Sequence, residues 1–156
     1  MSGYFEIGIY HTKTETNVGT LWRSAYQLGA AGVFTIGRRY KRQASDTVNA
    51  MHNIPLRHYT TLDEFRIGRP VDAILIGIEM DGLPLSTFCH PHNAIYLLGA
   101  EDHGLPSEIS AYCSMIVSLE SIRTLSYNVA VAGSIVMYDR MSKKLVPNNI
   151  CKKLSA

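Results

Sequence analysis

Three short segments of the chain combine polar side chains capable of chemistry with glycine or other small residues. They contain Asn17, Gly19 and Arg23, then Gly99, Glu101 and Gly104, and finally Ser126 and Asn128. A carboxylate can orient or accept a proton, and an arginine, which is always charged, can stabilise negative charge. Each segment alone is equally well explained by a helix cap, a tight turn or a surface ion pair.

The second segment lies where an open α/β sheet forms ligand sites. Residues 94–98 are an uninterrupted apolar run, which predicts a strand buried on both faces. A turn with two glycines and two acids follows, and Pro106 suits the first turn of a helix. Strand, glycine turn and helix together form crevices at the carboxyl ends of strands.

A basic run follows the second predicted strand, which covers residues 32–37. Its four basic residues surround one tyrosine; they are Arg38, Arg39, Lys41 and Arg42. Such a run is either a solvated loop or a patch that contacts phosphates and offers a ring for stacking. The sequence leaves both interpretations open.

Composition favours one compact domain. The chain has 156 residues, of which 46% are apolar and 18% charged, and its net charge of +2 does not by itself indicate nucleic acid binding. The three cysteines lack metal-type spacing, which is typical of reduced thiols in the cytoplasm. We expect no membrane span, because no apolar stretch approaches about 20 residues.

Several common motifs are missing. The first strand is not followed by G-x-G-x-x-G, and neither a G-x-x-x-x-G-K loop nor a G-x-S-x-G elbow occurs. The six histidines are scattered, so we predict no metal site.

Hydrophobic patterning predicts alternating strands and helices. We expect strands at 5–10, 32–37, 55–59, 72–79, 94–98 and 114–119, and helices at 17–29, 45–51, 62–65, 106–111 and 126–141. Asn17 and Ser126 are the expected N-caps of their helices, and Asp81-Gly82 is an expected turn. This order predicts an α/β fold with a mainly parallel sheet, helices on both faces, one domain over 1–145 and a tail over 146–156.

In order, the three segments read N-x-G-x-x-x-R, G-x-E-x-x-G-L and S-x-N-x-A-x-A. This set resembles the SpoU/TrmH branch of the SPOUT superfamily of RNA methyltransferases, and it extends from Asn17 to Ala132. The chain departs from the family pattern where Ser118-Leu119-Glu120 replaces the frequent Ile-Pro-Met, and where Tyr127 replaces a leucine. We expect these departures to alter the edge of the pocket.

The resemblance implies a fold that local propensity does not reveal. In this family the last third of the chain forms a deep trefoil knot, which creates a pocket for S-adenosylmethionine. Family members are homodimers that pair through the first and last helices. Their usual activity is methyl transfer to a ribose 2′-hydroxyl of tRNA or rRNA, and it requires no metal.

The resemblance also implies roles for individual residues. Arg23 would activate the hydroxyl electrostatically, on RNA held by the partner subunit, and Glu101 would orient Asn17, Arg23 or the ribose. Ser126 and Asn128 would shape the knot loop and the substrate site. The implied cofactor-binding residues are Ile76, Gly77, Ile78, Gly99, Ala100, Gly104, Ser118, Leu119, Ser126 and Tyr127. Arg23, with Arg38, Arg39, Lys41 and Arg42, would contact RNA.

Two other functions stay open. One is an RNA-binding protein that keeps the fold but has lost the reaction, and the other is a methyltransferase of the same superfamily that acts on a base nitrogen. Glu120 and Arg123, both in the expected knot loop, would lie near the cofactor or pair with each other at the surface.

Overall fold

The computed structural model describes residues 3–37, 53–101 and 103–154. Within these ranges six strands form one sheet in the order β3-β2-β1-β5-β4-β6. The strands are β1 Tyr4–Tyr10, β2 Gly32–Ile36, β3 Leu56–Tyr59, β4 Ile74–Pro84, β5 Asn93–Leu98 and β6 Met115–Ser118. Neighbouring strands are parallel throughout. The expected parallel α/β fold is confirmed, and the trefoil knot stays a prediction.

Helices cover both faces of the sheet. They are α1 Glu15–Gln27, α2 Leu62–Gly68, α3 Ser107–Tyr112, α4 Val129–Ser142 and α5 Asn148–Leu154, with a short 3-10 turn at Leu85–Thr87. Alternate residues of each buried strand face opposite sides. On one side Ile7 and Tyr96 pack in a core cluster with Leu21 of α1 and Val136 of α4. A second cluster, on the other side, contains Phe65 of α2 and Ile109 of α3.

Two expected helix starts were wrong. Helix α1 begins at Glu15, so Asn17 lies inside its first turn instead of capping it. Helix α4 begins at Val129, and Asn128, not Ser126, caps it: Asn128 Oδ1 accepts hydrogen bonds from the backbone nitrogens of Ala130 (3.0 Å) and Val131 (3.2 Å). Serine and asparagine are both common N-cap residues, so the sequence alone did not show which of Ser126 and Asn128 caps the helix.

The turn expected at Asp81-Gly82 lies inside β4. This strand runs from Ile74 to Pro84, and its pairing with β6 shifts register between Ile78 and Leu83. Asp81 has a φ of 64°, so the turn residues build a bulge rather than an end to the strand.

Residues expected to form a tail are packed against the domain. Helix α5 buries Cys151, and the Asn148 side chain accepts a hydrogen bond from the nitrogen of Asn93 (3.0 Å) and donates one to the oxygen of Asp72 (2.9 Å). The sequence analysis did not predict this helix. The helix expected at 45–51 and the basic residues Arg38, Arg39, Lys41 and Arg42 lie outside the described residues.

In the described part of the chain, no helix is both long and apolar enough to span a bilayer.

Candidate active site

Asn17, Glu101 and Asn128, one from each polar segment, form a continuous hydrogen-bonded chain. Asn17 Nδ2 donates to Glu101 Oε1 at 2.8 Å, and Asn128 Nδ2 donates to Asn17 Oδ1 at 3.0 Å. These contacts join the first turn of α1, the loop after β5 and the start of α4. Because Asn17 uses its nitrogen for one partner and its oxygen for the other, its orientation is fixed.

Glu101 is held by the loop that follows β1. Thr12 Oγ1 donates to Oε1 and the backbone nitrogen of Lys13 donates to Oε2, both at 3.1 Å. Burial acts to raise the pKa of Glu101, but hydrogen bonds from Asn17 and from backbone nitrogens outweigh it, so the pKa is lowered overall. Glu101 is therefore a carboxylate at neutral pH. It orients its neighbours as an acceptor and is not a proton donor.

Arg23 does not join this chain of contacts. It lies on the exposed side of α1, and within the described residues its side chain has no hydrogen-bond or ion-pair partner. Of the partners expected for Glu101, the structure therefore provides Asn17 and not Arg23. The guanidinium is available to bind something that approaches from outside the domain.

A cleft of about 620 Å³ opens at the carboxyl ends of β4, β5 and β6. Its walls come from residues 78–82, 98–101, 103–104, 118–121 and 125–127, and from Val129 and Ala132 of α4. Every expected cofactor residue lines the cleft except Ile76 and Gly77, which lie within β4 in the sheet interior. Glu101 and Ser126 also face this cleft.

The loop after β5 needs its glycines. A Cβ on Gly99 would lie 2.2 Å from the carbonyl carbon of Gly104, and Gly104 itself has a φ of 61°. The nitrogen of Gly104 donates to the oxygen of Ala100 at 3.0 Å, which closes the turn. The turn therefore places backbone directly against the cleft.

Glu79, which lies at the bulge within β4, secures the same turn, and the sequence analysis missed it. Its Oε2 accepts a hydrogen bond from the nitrogen of Leu105 at 2.6 Å, and its Oε1 accepts one from the nitrogen of Met80 at 2.9 Å. The available signal was an acidic residue at the last position of the strand predicted at 72–79, because the carboxyl ends of parallel strands meet at one edge of the sheet.

The loop after β6 is closed by the residues that depart from the family pattern. Glu120 accepts hydrogen bonds from the Ser86 hydroxyl and, at 3.1 Å, from the Ser86 nitrogen; these contacts lower its pKa. Tyr127 donates its hydroxyl proton to the oxygen of Glu120 at 2.6 Å. Glu120 therefore pairs with Ser86, and the alternative in which it pairs with Arg123 was wrong.

The cleft is acidic. Its lining includes Glu79, Asp81, Glu101 and Glu120, and no lysine or arginine among the described residues. No three His, Cys, Asp or Glu side chains in the described ranges are grouped closely enough to hold a metal ion. Such a cleft suits an organic ligand that carries positive charge better than a polyphosphate.

Comparison with known proteins identifies the family. The chain is similar in fold to an AdoMet-bound rRNA methyltransferase from Sinorhizobium meliloti, with a TM-score of 0.78 and 21% identity over 90% of this chain and 56% of that one. It is also similar to the SpoU methyltransferase AviRb from Streptomyces viridochromogenes in complex with AdoMet, with a TM-score of 0.76 and 21% identity over 89% of this chain and 57% of that one.

A third solved structure is similar along nearly its whole length. It comes from work on 2-OH methylation of C/U34 on tRNA, and it has a TM-score of 0.79 and 20% identity over 90% of this chain and 95% of that one. No curated protein matches by sequence. The model of the SpoU rRNA methylase family matches residues 4–138, so the chain belongs to the SpoU rRNA methylase family.

Proposed function

We propose that this chain transfers a methyl group from S-adenosylmethionine to a ribose 2′-hydroxyl of tRNA or rRNA. The observation that carries the proposal is the chain of hydrogen bonds from Glu101 through Asn17 to Asn128, beside the cleft. Family membership supports methyl transfer. Two similar structures hold AdoMet, and a third concerns 2-OH methylation of tRNA.

The cleft fits the proposed cofactor. Its volume of about 620 Å³ lies within the range of ligand sites, and Leu98, Val129 and Ala132 supply apolar wall for an adenine ring. Gly99 lets the turn close against the backbone of Gly104, because a Cβ there has no room, and this close turn would present its peptide groups to a nucleoside in the cleft. S-Adenosylmethionine would supply a methyl group on a positively charged sulfonium, which the surrounding carboxylates complement.

The acidic cleft also constrains where RNA binds. Carboxylates that favour a cationic cofactor repel phosphates, so the backbone of the RNA must stay outside the cleft. Arg23 lies outside it, exposed and always charged. We assign Arg23 to the RNA phosphate and the reacting hydroxyl, where it would position the nucleotide and stabilise the developing oxyanion.

The remaining motif residues would position the substrate. Asn17 is fully engaged by Glu101 and Asn128, so it would fix the start of α1, and with it the direction of Arg23. Ser126 is exposed on the cleft wall and would contact the ribose. Arg38, Arg39, Lys41 and Arg42 stay predicted RNA contacts.

A homodimer would complete the site. Helix α4 exposes an apolar face, which consists of Val131, Ile135, Tyr138 and Met141. Exposed apolar clusters of this kind mark protein interfaces. At the edge of this face α4 contacts α1, where the hydroxyl oxygens of Ser134 and Ser24 lie 2.8 Å apart in a hydrogen bond. A second copy on this face would bring its RNA close to Arg23.

We place this activity in the cytoplasm.

Product analysis tests the proposal. Wild-type protein is incubated with methyl-labelled S-adenosylmethionine and with either unfractionated tRNA or ribosomal RNA. The RNA is then hydrolysed with alkali. A ribose 2′-O-methyl group blocks cleavage of the neighbouring phosphodiester, so the label should appear in alkali-resistant dinucleotides. Label in mononucleotides would show base methylation and contradict the ribose assignment. RNA binding without label transfer would indicate a protein that has lost the reaction.

A further inference from the structure

Tyr10 and His11 form a stacked pair of rings at the carboxyl end of β1. Their ring centroids are 4.1 Å apart and the ring planes are inclined by 20°. Tyr10 is half-buried and packs against the core cluster that contains Phe34 and Phe65, so it is a rigid support. His11 is exposed.

The backbone around this pair is arranged to hold the His11 ring in place. His11 has a φ of 52°, which L-residues other than glycine seldom adopt. Its nitrogen donates to the oxygen of Ile36 at 2.8 Å, which ties the end of β1 to β2. A Cβ on Gly37 would lie 2.2 Å from His11 Cδ2, so the imidazole lies directly against the backbone of Gly37. Unusual backbone conformations of this type concentrate at functional sites.

The ring pair lies beside the proposed acceptor site and on the side away from the cofactor cleft. Thr12 and Lys13, the next two residues, hold Glu101 by hydrogen bonds. In the strand order β3-β2-β1-β5-β4-β6, the cleft occupies the ends of β5, β4 and β6, whereas the rings occupy the ends of β1 and β2. Glu101 therefore lies between the two.

We infer that His11, supported by Tyr10, stacks on a nucleobase of the RNA, at or next to the methylated nucleotide. This inference rests on the proposed function. A ribose held near Asn17 and Glu101 has its base outside the acidic cleft, and the ring pair lies on the side of Glu101 that faces away from that cleft. An aromatic ring accepts any base, because every base has a π-face. His11 would therefore contribute RNA affinity with little sequence preference.

Three substitutions at position 11 distinguish the effect of losing the aromatic ring from the effect of straining the backbone. His11→Asn removes the ring but tolerates a positive φ. His11→Phe and His11→Leu are strained alike by the positive φ and differ in the ring. The Kd for labelled unfractionated tRNA and the KM for tRNA should both be about tenfold higher for His11→Asn than for wild type. Both should also be about tenfold higher for His11→Leu than for His11→Phe. S-Adenosylmethionine affinity should stay within twofold of wild type.

The control is His92→Asn, the same change at the opposite end of the sheet, which should leave tRNA binding and KM unchanged. The inference would be overturned if wild type and His11→Asn bound tRNA equally and His11→Phe and His11→Leu also bound it equally. Methyl transfer by wild type would still uphold the proposed function in that case. A structural role for His11 would also overturn the inference. It would show as a loss of both tRNA binding and S-adenosylmethionine binding in His11→Asn and His11→Leu, with His11→Phe behaving like His11→Leu. Wild-type protein that methylates neither tRNA nor ribosomal RNA would overturn both.

Discussion

Asn128 and Asn17 lie 111 positions apart in the chain, yet Nδ2 of Asn128 donates a hydrogen bond to Oδ1 of Asn17 at 3.0 Å. The same Asn128 side chain caps α4 through its oxygen. One residue therefore starts the last long helix and connects it to the first. This double use lets a pair of substitutions separate stability from activity.

Asn128→Asp should keep the cap and lose the connection. Its carboxylate still accepts from the nitrogens of residues 130 and 131, but it has no proton to donate to Asn17. Asn128→Ala loses both and should cost about 1 kcal/mol of stability. We expect the urea midpoint of Asp to lie between those of wild type and Ala, because Asp keeps the cap, while both variants lose methyl transfer. Wild-type turnover by Asn128→Asp would show that the contact with Asn17 is unimportant.

Glu101→Gln should lower stability at neutral pH and make stability depend less on pH in the acidic range. The pKa of Glu101 is lowered below its ordinary value of 4.5, so the carboxylate stabilises the fold above that pH and loses this contribution as the pH falls through its lowered pKa. Glutamine also presents a nitrogen to one of the three donors. Urea unfolding should show the variant less stable at pH 7, with the difference shrinking toward pH 3. A difference that does not change with pH would contradict the ionised state.

Arg23→Ala should remove most turnover without changing the affinity for the cofactor. We expect methyl transfer to fall about 10²–10³-fold, the usual effect of removing a group that stabilises a developing oxyanion. Its exposed position away from the cleft predicts an unchanged S-adenosylmethionine Kd. Lys152→Ala, an exposed cation on α5, is the matched control. A large loss of cofactor binding in Arg23→Ala would refute the role given to it.

His90 should make the protein acid-sensitive independently of the active site. Its ring is fully buried, with Nδ1 2.6 Å from the Tyr96 hydroxyl and Nε2 2.8 Å from Asp139 Oδ2. Burial, only partly offset by Asp139, lowers its pKa from 6.5 to about 4. The unfolded chain binds the proton more readily, so stability is complete above pH 6.5 and falls as the pH drops toward 4.

From this group we expect a loss of about 2 kcal/mol between pH 7 and pH 5. The variant His90→Asn should be less stable at pH 7 and should show a flatter dependence between these pH values in urea unfolding. The exposed His103→Asn should keep the wild-type slope. If His90→Asn keeps the full slope, other groups are responsible for it.

Local pattern predicted the sheet, because buried parallel strands are continuous apolar runs such as 94–98 and 74–78. It could not predict the contacts of Glu79, whose partner Leu105 lies 26 positions further along the chain. It also mistook the bulge at Asp81 for a turn, since both use a positive φ. The short helix α5 was missed because docking of Cys151 and Asn148, not a long apolar stripe, holds it in place.

The motif residues were found only as a set. Neither Asn17 nor Glu101 has a sequence environment that distinguishes it from a helix cap or a turn acid, and their contact crosses 84 positions. The family resemblance offered Asn17 as one of three partners for Glu101, beside Arg23 and the ribose, and the structure shows the contact with Asn17. It did not supply the contact between Glu120 and Ser86, because this chain departs from the family pattern there.

Calorimetric titration of the purified protein with S-adenosylmethionine tests the central claim most directly. We expect wild type to bind one equivalent per chain. Gly99→Ala should bind at least tenfold more weakly, because its Cβ would lie 2.2 Å from the carbonyl carbon of Gly104. Gly32→Ala, whose Cβ meets nothing closer than 3.3 Å, should bind like wild type. Absence of binding by folded wild type, with and without tRNA, would contradict the account, as would Gly99→Ala with wild-type affinity.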